Sequence, residues 1–292
     1  MKRYDFITVG NYTKDTIVTA AGTRHVDGGG FNYAAHAARL AGVSVAVVTR
    51  RAREDARVTA PLAAAGIAVH AFDSPGSTLM RLEYPTANLD ERILSVAGVA
   101  DPIGPEHVDG LSAHTFLITA SIRGEVSPAT VGAIKNRAQR LAIDVQGFVR
   151  VVTPQGRLRN EFWPERDLVL GMTDILKSDA VEAEALTGSA DIREAAHRLA
   201  GYGPREVVLT HRDGLLVLAD GRYHEAPFHA AVVRGRSGRG DTCIGSYASR
   251  RLQADAGEAT RWAAAATSLK LEAEGPIRSS REDVERLLAE RY

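Results

Sequence analysis

Gly235-Arg236-Ser237-Gly238-Arg239-Gly240-Asp241-Thr242 runs directly into Cys243-Ile244-Gly245-Ser246-Tyr247, which reads as a helix opening. Two glycines let backbone N–H groups turn toward one point, and a helix N-terminus adds its positive dipole end there. That geometry suits a phosphate. Yet the tip carries an acid, Asp241. An acid aimed at an anion nest weakens simple binding. It makes chemical sense if Asp241 takes a proton from a hydroxyl that then attacks the phosphate. Rival readings exist. The stretch nearly fits the P-loop pattern, but Asp241 stands where the phosphate-binding lysine belongs. Arg239-Gly240-Asp241 is also an adhesion tripeptide, which is a cheap match. The plainest alternative is a glycine turn with Asp241 as helix N-cap.

Outward from this stretch, apolar runs of strand length alternate with helical patterns. Residues 4–10, 43–48, 67–71, 115–119, 141–145, 174–176 and 207–210 read as core strands. Residues 32–41, 55–65, 127–140 and 191–200 read as helices, and helices dominate after Thr242. Such alternation predicts an α/β fold with a mostly parallel sheet covered on both faces. Two segments, 15–26 and 77–96, alternate polar and apolar residues without helices between them. They predict a small antiparallel flap, giving one domain over 1–292 with a lid drawn from about 15–27 and 77–96.

The chain has 292 residues, 45% hydrophobic and 25% charged, with zero formal net charge. A protein that neutralises nucleic-acid phosphates usually carries a basic excess, so that class is disfavoured. Cys243 is the only cysteine, which excludes an intramolecular disulfide and fits a reducing cytoplasm. No apolar signal core follows Met1-Lys2-Arg3, and no run approaches the roughly 20 apolar residues of a membrane span. A cytoplasmic protein without membrane or nucleic-acid partners is expected, as monomer or homodimer.

A second constellation, Asp27-Gly28-Gly29-Gly30-Phe31-Asn32, precedes the first helical pattern. It lacks the third glycine of a dinucleotide-binding turn and follows a lid-like segment. A helix-capping loop is one reading. The other is a floor for a polyhydroxylated ligand: glycines permit close approach, Asn32 donates and accepts, and Asp15 accepts from two adjacent hydroxyls. Asp15 alone would also read as a turn-capping residue.

Taken together, these pieces resemble the ribokinase family of carbohydrate kinases, the phosphofructokinase-B type. That family carries D-T-x-G-A-G-D near its C-terminus, and Ser237-Gly238-Arg239-Gly240-Asp241 matches it. Its N-terminal signature G-G-x-G-x-N-x-A, with a helix ending A-R-L, is similar to Gly28-Gly29-Gly30-Phe31-Asn32-Tyr33-Ala34 leading to Ala38-Arg39-Leu40. The family's N-x-x-E motif looks like Asp179-Ala180-Val181-Glu182. The resemblance covers nearly the whole chain. It implies a ribokinase-like three-layer α/β sandwich with a small β lid, and an ATP- and Mg²⁺-dependent kinase. Asp241 would be the base, with Gly238, Arg239 and Gly240 as anion hole. Asp15, Gly28, Gly29 and Asn32 would hold the substrate. Lys177, Thr210 and Gly214 would contact the nucleotide, and Asp179 and Glu182 would reach the metal through water.

Departures are specific. Gly235 and Arg236 replace the opening D-T, whose Asp helps form a monovalent-cation site in some members, which argues against potassium activation. Asp179 replaces Asn. Thr210-His211-Arg212-Asp213-Gly214 is one residue short of the family's nucleotide loop. Val9-Gly10-Asn11-Tyr12 and Ile143-Asp144-Val145-Gln146-Gly147-Phe148-Val149-Arg150 look similar to stretches of inositol kinases, which implies a cyclic polyol or sugar substrate. Arg150 reads either as a phosphoryl clamp or as a surface arginine. A nucleoside kinase is the main alternative within the family, with Phe31, Tyr33 and Tyr84 as candidate base walls. A non-catalytic binding relative and an NAD-type oxidoreductase are the readings outside it.

Overall fold

The computed structural model describes residues 2–86 and 92–292. Its strands, in chain order, begin with β1 (Lys2–Val9), β2 (Thr13–Thr19), β3 (Gly22–Asp27), β4 (Val45–Ala52) and β5 (Ala68–Ser74). They continue with β6 (Thr78–Glu83), β7 (Ile93–Gly98), β8 (Leu111–Ile118), β9 (Ala138–Asp144) and β10 (Arg150–Val152). The last are β11 (Leu158–Asn160), β12 (Ile175–Asp179), β13 (Glu206–Thr210), β14 (Gly214–Ala219) and β15 (Arg222–Pro227).

Nine of these strands form the central sheet in the order β15-β14-β13-β12-β9-β8-β1-β4-β5. The seven from β13 to β5 pair parallel, and β14 and β15 add an antiparallel edge. Apolar alternation along the strands separates two cores. Ile7, Val9, Phe116, Ile118, Leu141, Ile143, Leu176 and Leu209 face one helical layer. Phe6, Leu117, Ala142, Ile175 and Val208 face the other. That second layer holds the helices Gly30–Arg39, Arg239–Arg250 and Ala256–Leu271. The result is the three-layer sandwich expected from the sequence.

The strand order reverses between β1 and β8: β4 and β5 lie to one side, β9, β12 and β13 to the other. The carboxyl ends of strands at such a switch point open a crevice where ligands bind in α/β sheets. Gly10 follows β1 there, and a Cβ at Gly10 would stand 2.9 Å from the Thr119 carbonyl oxygen after β8.

The flap is a separate four-stranded sheet, β3-β2-β6-β7. Its hairpins β2–β3 and β6–β7 are antiparallel, but β2 and β6 pair parallel, so the sheet is mixed where the sequence predicted an antiparallel one. Ile17, Met80, Leu82, Tyr84 and Val96 give it a small core that reaches Ile122. Residues 87–91 of the expected 77–96 lid segment lie outside the described residues.

Two helices are shorter than predicted. The 127–140 pattern stops at Lys135 because β9 starts at Ala138, in register with Ala113. The 55–65 pattern splits into a 3-10 segment, Arg53–Thr59, and a short helix, Ala60–Ala64, with Pro61 in its first turn.

Candidate active site

The helix Arg239–Arg250 starts at the carboxyl edge of the sheet. Its N-cap is Gly238, at φ 76°, a conformation that favours glycine. A Cβ there would also strike the Tyr33 ring. Asp241 is therefore the third helical residue and not the N-cap. Its carboxylate lies within the first turn, where the dipole favours negative charge.

Asp241 Oδ1 is buried and has no hydrogen-bond partner. It points at Gly30, where any Cβ would collide with it. Asp15 repeats this arrangement: its Oδ1 is buried without a partner, and its Oδ2 abuts the Cα of Gly28, which has no room for a side chain. The two carboxylates thus flank the floor formed by Gly28 and Gly30, and each keeps one buried oxygen without a partner. Buried polar atoms are ordinarily paired, and these are placed to accept from hydroxyls of a ligand. Burial pushes Asp15 up to about 7, with the nearby Asp241 and Asp27 adding to the effect. Burial also raises Asp241, while Lys177 and Arg150 pull it back toward ionisation.

A chain of buried charges backs Asp241. Lys177 on β12 pairs with Asp144 at the end of β9, at 2.9 Å. Burial alone would lower the Lys177 ammonium, but Asp144 and Glu182 hold it above its ordinary value. Its Nζ would sit 2.6 Å from a Cβ at Gly240, so it lies beside the turn proposed as anion hole. Arg150 Nη2 donates to Glu182 Oε1 at 3.0 Å. Arg150 is an inward-facing charge, which decides against the surface reading.

Asp179 and Glu182 form a reciprocal cap on the helix Ala180–Thr187. Glu182 N–H donates to Asp179 Oδ1 at 2.8 Å, and Asp179 N–H donates to Glu182 Oε2 at 3.0 Å. Both Glu182 oxygens are thereby engaged, one by Arg150 and one by the cap. The pair does not fit direct metal coordination, and no group of three metal-ligating side chains occurs among the described residues.

Other expected residues fall differently. Gly29 is the N-cap of the helix Gly30–Arg39, and Asn32 sits inside its first turn, its Nδ2 3.5 Å from the Asp27 carbonyl. Asp27 faces away, paired with Arg57 at 2.8 Å and accepting from Tyr12 Oη at 2.6 Å. Thr210 and Gly214 are buried in the β13–β14 hairpin, where His211 N–H donates to the Gly214 carbonyl at 3.0 Å. Phe31 is core.

Sequence reading missed two buried groups. Glu125 accepts from the N–H groups of Asn11 at 2.5 Å and Ser121 at 3.0 Å, fixing the turns after β1 and β8. Lys270, on the helix Ala256–Leu271, donates to the Gly235 carbonyl at 3.0 Å. Neither residue belongs to a sequence pattern; only folding brings them to the site.

The pfkB family carbohydrate kinase profile matches residues 5–283. The chain belongs to that family. Among solved structures, a pyrophosphate-dependent kinase of the ribokinase family, complexed with a pyrophosphate analogue and myo-inositol, is 30% identical. It superposes with a TM-score of 0.89 over 96% of this chain and 99% of that one. Ribokinase from Arabidopsis thaliana, complexed with ribose and ATP, shares the fold at 19% identity and a TM-score of 0.73, over 98% and 99% of the two chains. Among curated proteins, the cytidine kinase of Thermococcus kodakarensis is 24% identical over 261 residues, covering 83% of this chain and 87% of that one. As a pfkB kinase, the chain is a phosphotransferase acting on a hydroxyl group. No helix among the described residues is long and apolar enough to cross a membrane.

Proposed function

We propose that the chain phosphorylates a hydroxyl of a cyclic polyol of the inositol class, with inorganic pyrophosphate as donor. The observation that carries the acceptor half is the pair of carboxylates, Asp15 beside Gly28 and Asp241 beside Gly30, each with one buried oxygen left unpartnered. Asp15 fixes the polyol through adjacent hydroxyls. Asp241 faces the reacting one and takes its proton as the hydroxyl oxygen bonds to phosphorus. The bridging P–O bond breaks and orthophosphate leaves. Backbone N–H groups of Gly238, Arg239 and Gly240 meet the charge on the transferring group, with Lys177 beside them. Arg150, held by Glu182, is the second buried cation of this wall. A magnesium ion would travel with the donor's phosphates and meet Asp179 and Glu182 only through water.

Pyrophosphate takes the place of the ATP expected from the sequence for two reasons. The pyrophosphate-dependent relative shares 30% of its residues with this chain across almost its full length. Thr210 and Gly214, the residues expected to contact a nucleotide, are themselves buried, and only Arg212 and Asp213 of the loop between them are exposed.

The test is a matrix of donors (pyrophosphate, ATP) against acceptors (myo-inositol and other cyclitols, ribose, cytidine), with products read by ³¹P NMR. The expected result is a phosphomonoester from pyrophosphate and a cyclitol. Transfer from ATP alone overturns the donor assignment, and transfer to cytidine or ribose alone overturns the acceptor.

A further inference from the structure

Lys270 is 1% exposed and lies in the last turn of the helix Ala256–Leu271. Its ammonium curls back over that helix end, donating to the carbonyls of Gly235 at 3.0 Å and Ala273 at 3.3 Å. The Tyr33 ring lies 5.7 Å from Nζ. Among the described residues no carboxylate forms an ion pair with it; Glu274 is taken by Arg24 of the lid at 2.6 Å. A buried charge is normally neutralised by a counter-charge. Here a compact cation is coordinated by backbone carbonyls from two loops, which is how proteins hold a dehydrated monovalent metal ion.

One of those loops leads to the anion hole. Arg234 N–H and Gly235 N–H both donate to the Leu271 carbonyl, at 2.8 and 3.3 Å, docking residues 234–235 on the helix end. Gly235 has backbone of Ala273 and Glu274 within 3.2 Å of a Cβ position. Three and five residues on, Gly238 and Gly240 carry the turn proposed to face the donor. Burial lowers the Lys270 ammonium to about 8, with Glu274 and then Asp241 opposing, so it is charged at neutral pH.

We propose that Lys270 is a tethered monovalent cation that positions the anion-hole turn and makes the enzyme independent of added potassium. The sequence agrees: Gly235 and Arg236 replace the acid-bearing pair that the resemblance ties to a cation site, so a free potassium ion has lost a ligand and met a competing ammonium. A fixed charge at the C-terminal end of a helix is also favoured by the dipole. Lys270 touches neither donor nor acceptor in this arrangement; it is a positioning residue. The proposal rests on the kinase reading for its kinetic consequence but not for its structural one.

The test uses the full chain and its Lys270→Ala and Lys270→Met variants in tetramethylammonium, potassium and ammonium salts at equal ionic strength. For the wild type, thermal stability and turnover should be alike in all three. Lys270→Ala opens the carbonyl site, so its Tm should rise in potassium or ammonium but not in tetramethylammonium, through binding to the folded state only. Lys270→Met fills the space and should not respond. In turnover, Lys270→Ala should lose about tenfold or more in kcat with acceptor KM nearly unchanged, and regain part of it with the same cations, since placement of anion-hole donors governs the chemical step. Potassium activation of the wild type, or an alanine variant whose Tm and kcat ignore all three cations, overturns the proposal. The Tm series reads out even if no substrate turns over, which separates this failure from failure of the kinase reading. If neither variant folds, the wild-type cation response alone decides.

Discussion

As the proposed acceptor ligand, Asp15 should couple acceptor binding to pH. Its pKa of about 7, raised by burial above the ordinary 3.8, means the folded chain keeps a proton that the unfolded chain has already released across that interval. The group's contribution to stability therefore falls as pH rises from about 4 to 7. Hydroxyls need the ionised carboxylate, and only about a tenth of it is ionised at pH 6. Acceptor KM should fall roughly tenfold between pH 6 and 8 and then level off, measured by initial rates. Asp15→Asn should abolish that dependence, weaken the acceptor and raise Tm at pH 8 relative to wild type. A flat wild-type KM contradicts this role. At Gly240, alanine would bring Cβ to 2.6 Å from Lys177 Nζ, which Asp144 holds in place. Gly240→Ala should lower kcat about 10²–10³-fold with an unchanged circular dichroism spectrum; an active Gly240→Ala would move the anion hole elsewhere. Asp241, Asp15 and the glycines were legible in the sequence because their chemistry needs those residue types at short spacing. Lys270, Glu125 and the contact of Tyr33 with Gly238 were not, because each joins residues far apart in the chain.

Helix placement sets the site's precision. The helix Arg239–Arg250 packs so closely on Gly30–Arg39 that a Cβ at Gly245 would lie 2.5 Å from the Ala34 carbonyl oxygen. Gly245→Val should force the two helices apart, destabilise the fold by about 1–3 kcal/mol and reduce kcat by withdrawing Asp241 from Gly30. Calorimetry and turnover of the same variant check both halves; wild-type kcat in a destabilised Gly245→Val would uncouple helix spacing from catalysis. Elements with strong apolar runs were readable: each predicted core strand falls within two residues of an observed one or overlaps it. The β14–β15 hairpin was not assigned as such: β14 was left out although Gly214–Ala219 is a fully buried apolar run, which is an exception to that readability. Arg222–Pro227 forms the sheet's outer edge and exposes most of its residues, so it lacks the apolar run of a buried strand. The parallel β2–β6 pairing also escaped, since alternation within a strand says nothing about its neighbour's direction.

At the scale of the molecule, three stretches meet at one crevice: the lid strand β2 with Asp15, the glycine floor before the first helix, and the helix start at Asp241. The fold brings them together because the strand order reverses between β1 and β8, leaving room at their carboxyl ends. The sequence implied this order of motifs through its family resemblance, while the donor proposed above rests on a solved relative and on the burial of Thr210 and Gly214. The most direct test of the account is single-turnover phosphoryl transfer by the wild type and Asp241→Asn, with donor and acceptor both saturating. Loss of the proton-accepting carboxylate should slow transfer about 10²–10⁴-fold while the acceptor dissociation constant stays within a few-fold. Transfer at the wild-type rate in Asp241→Asn would remove Asp241 from the chemistry and the account with it.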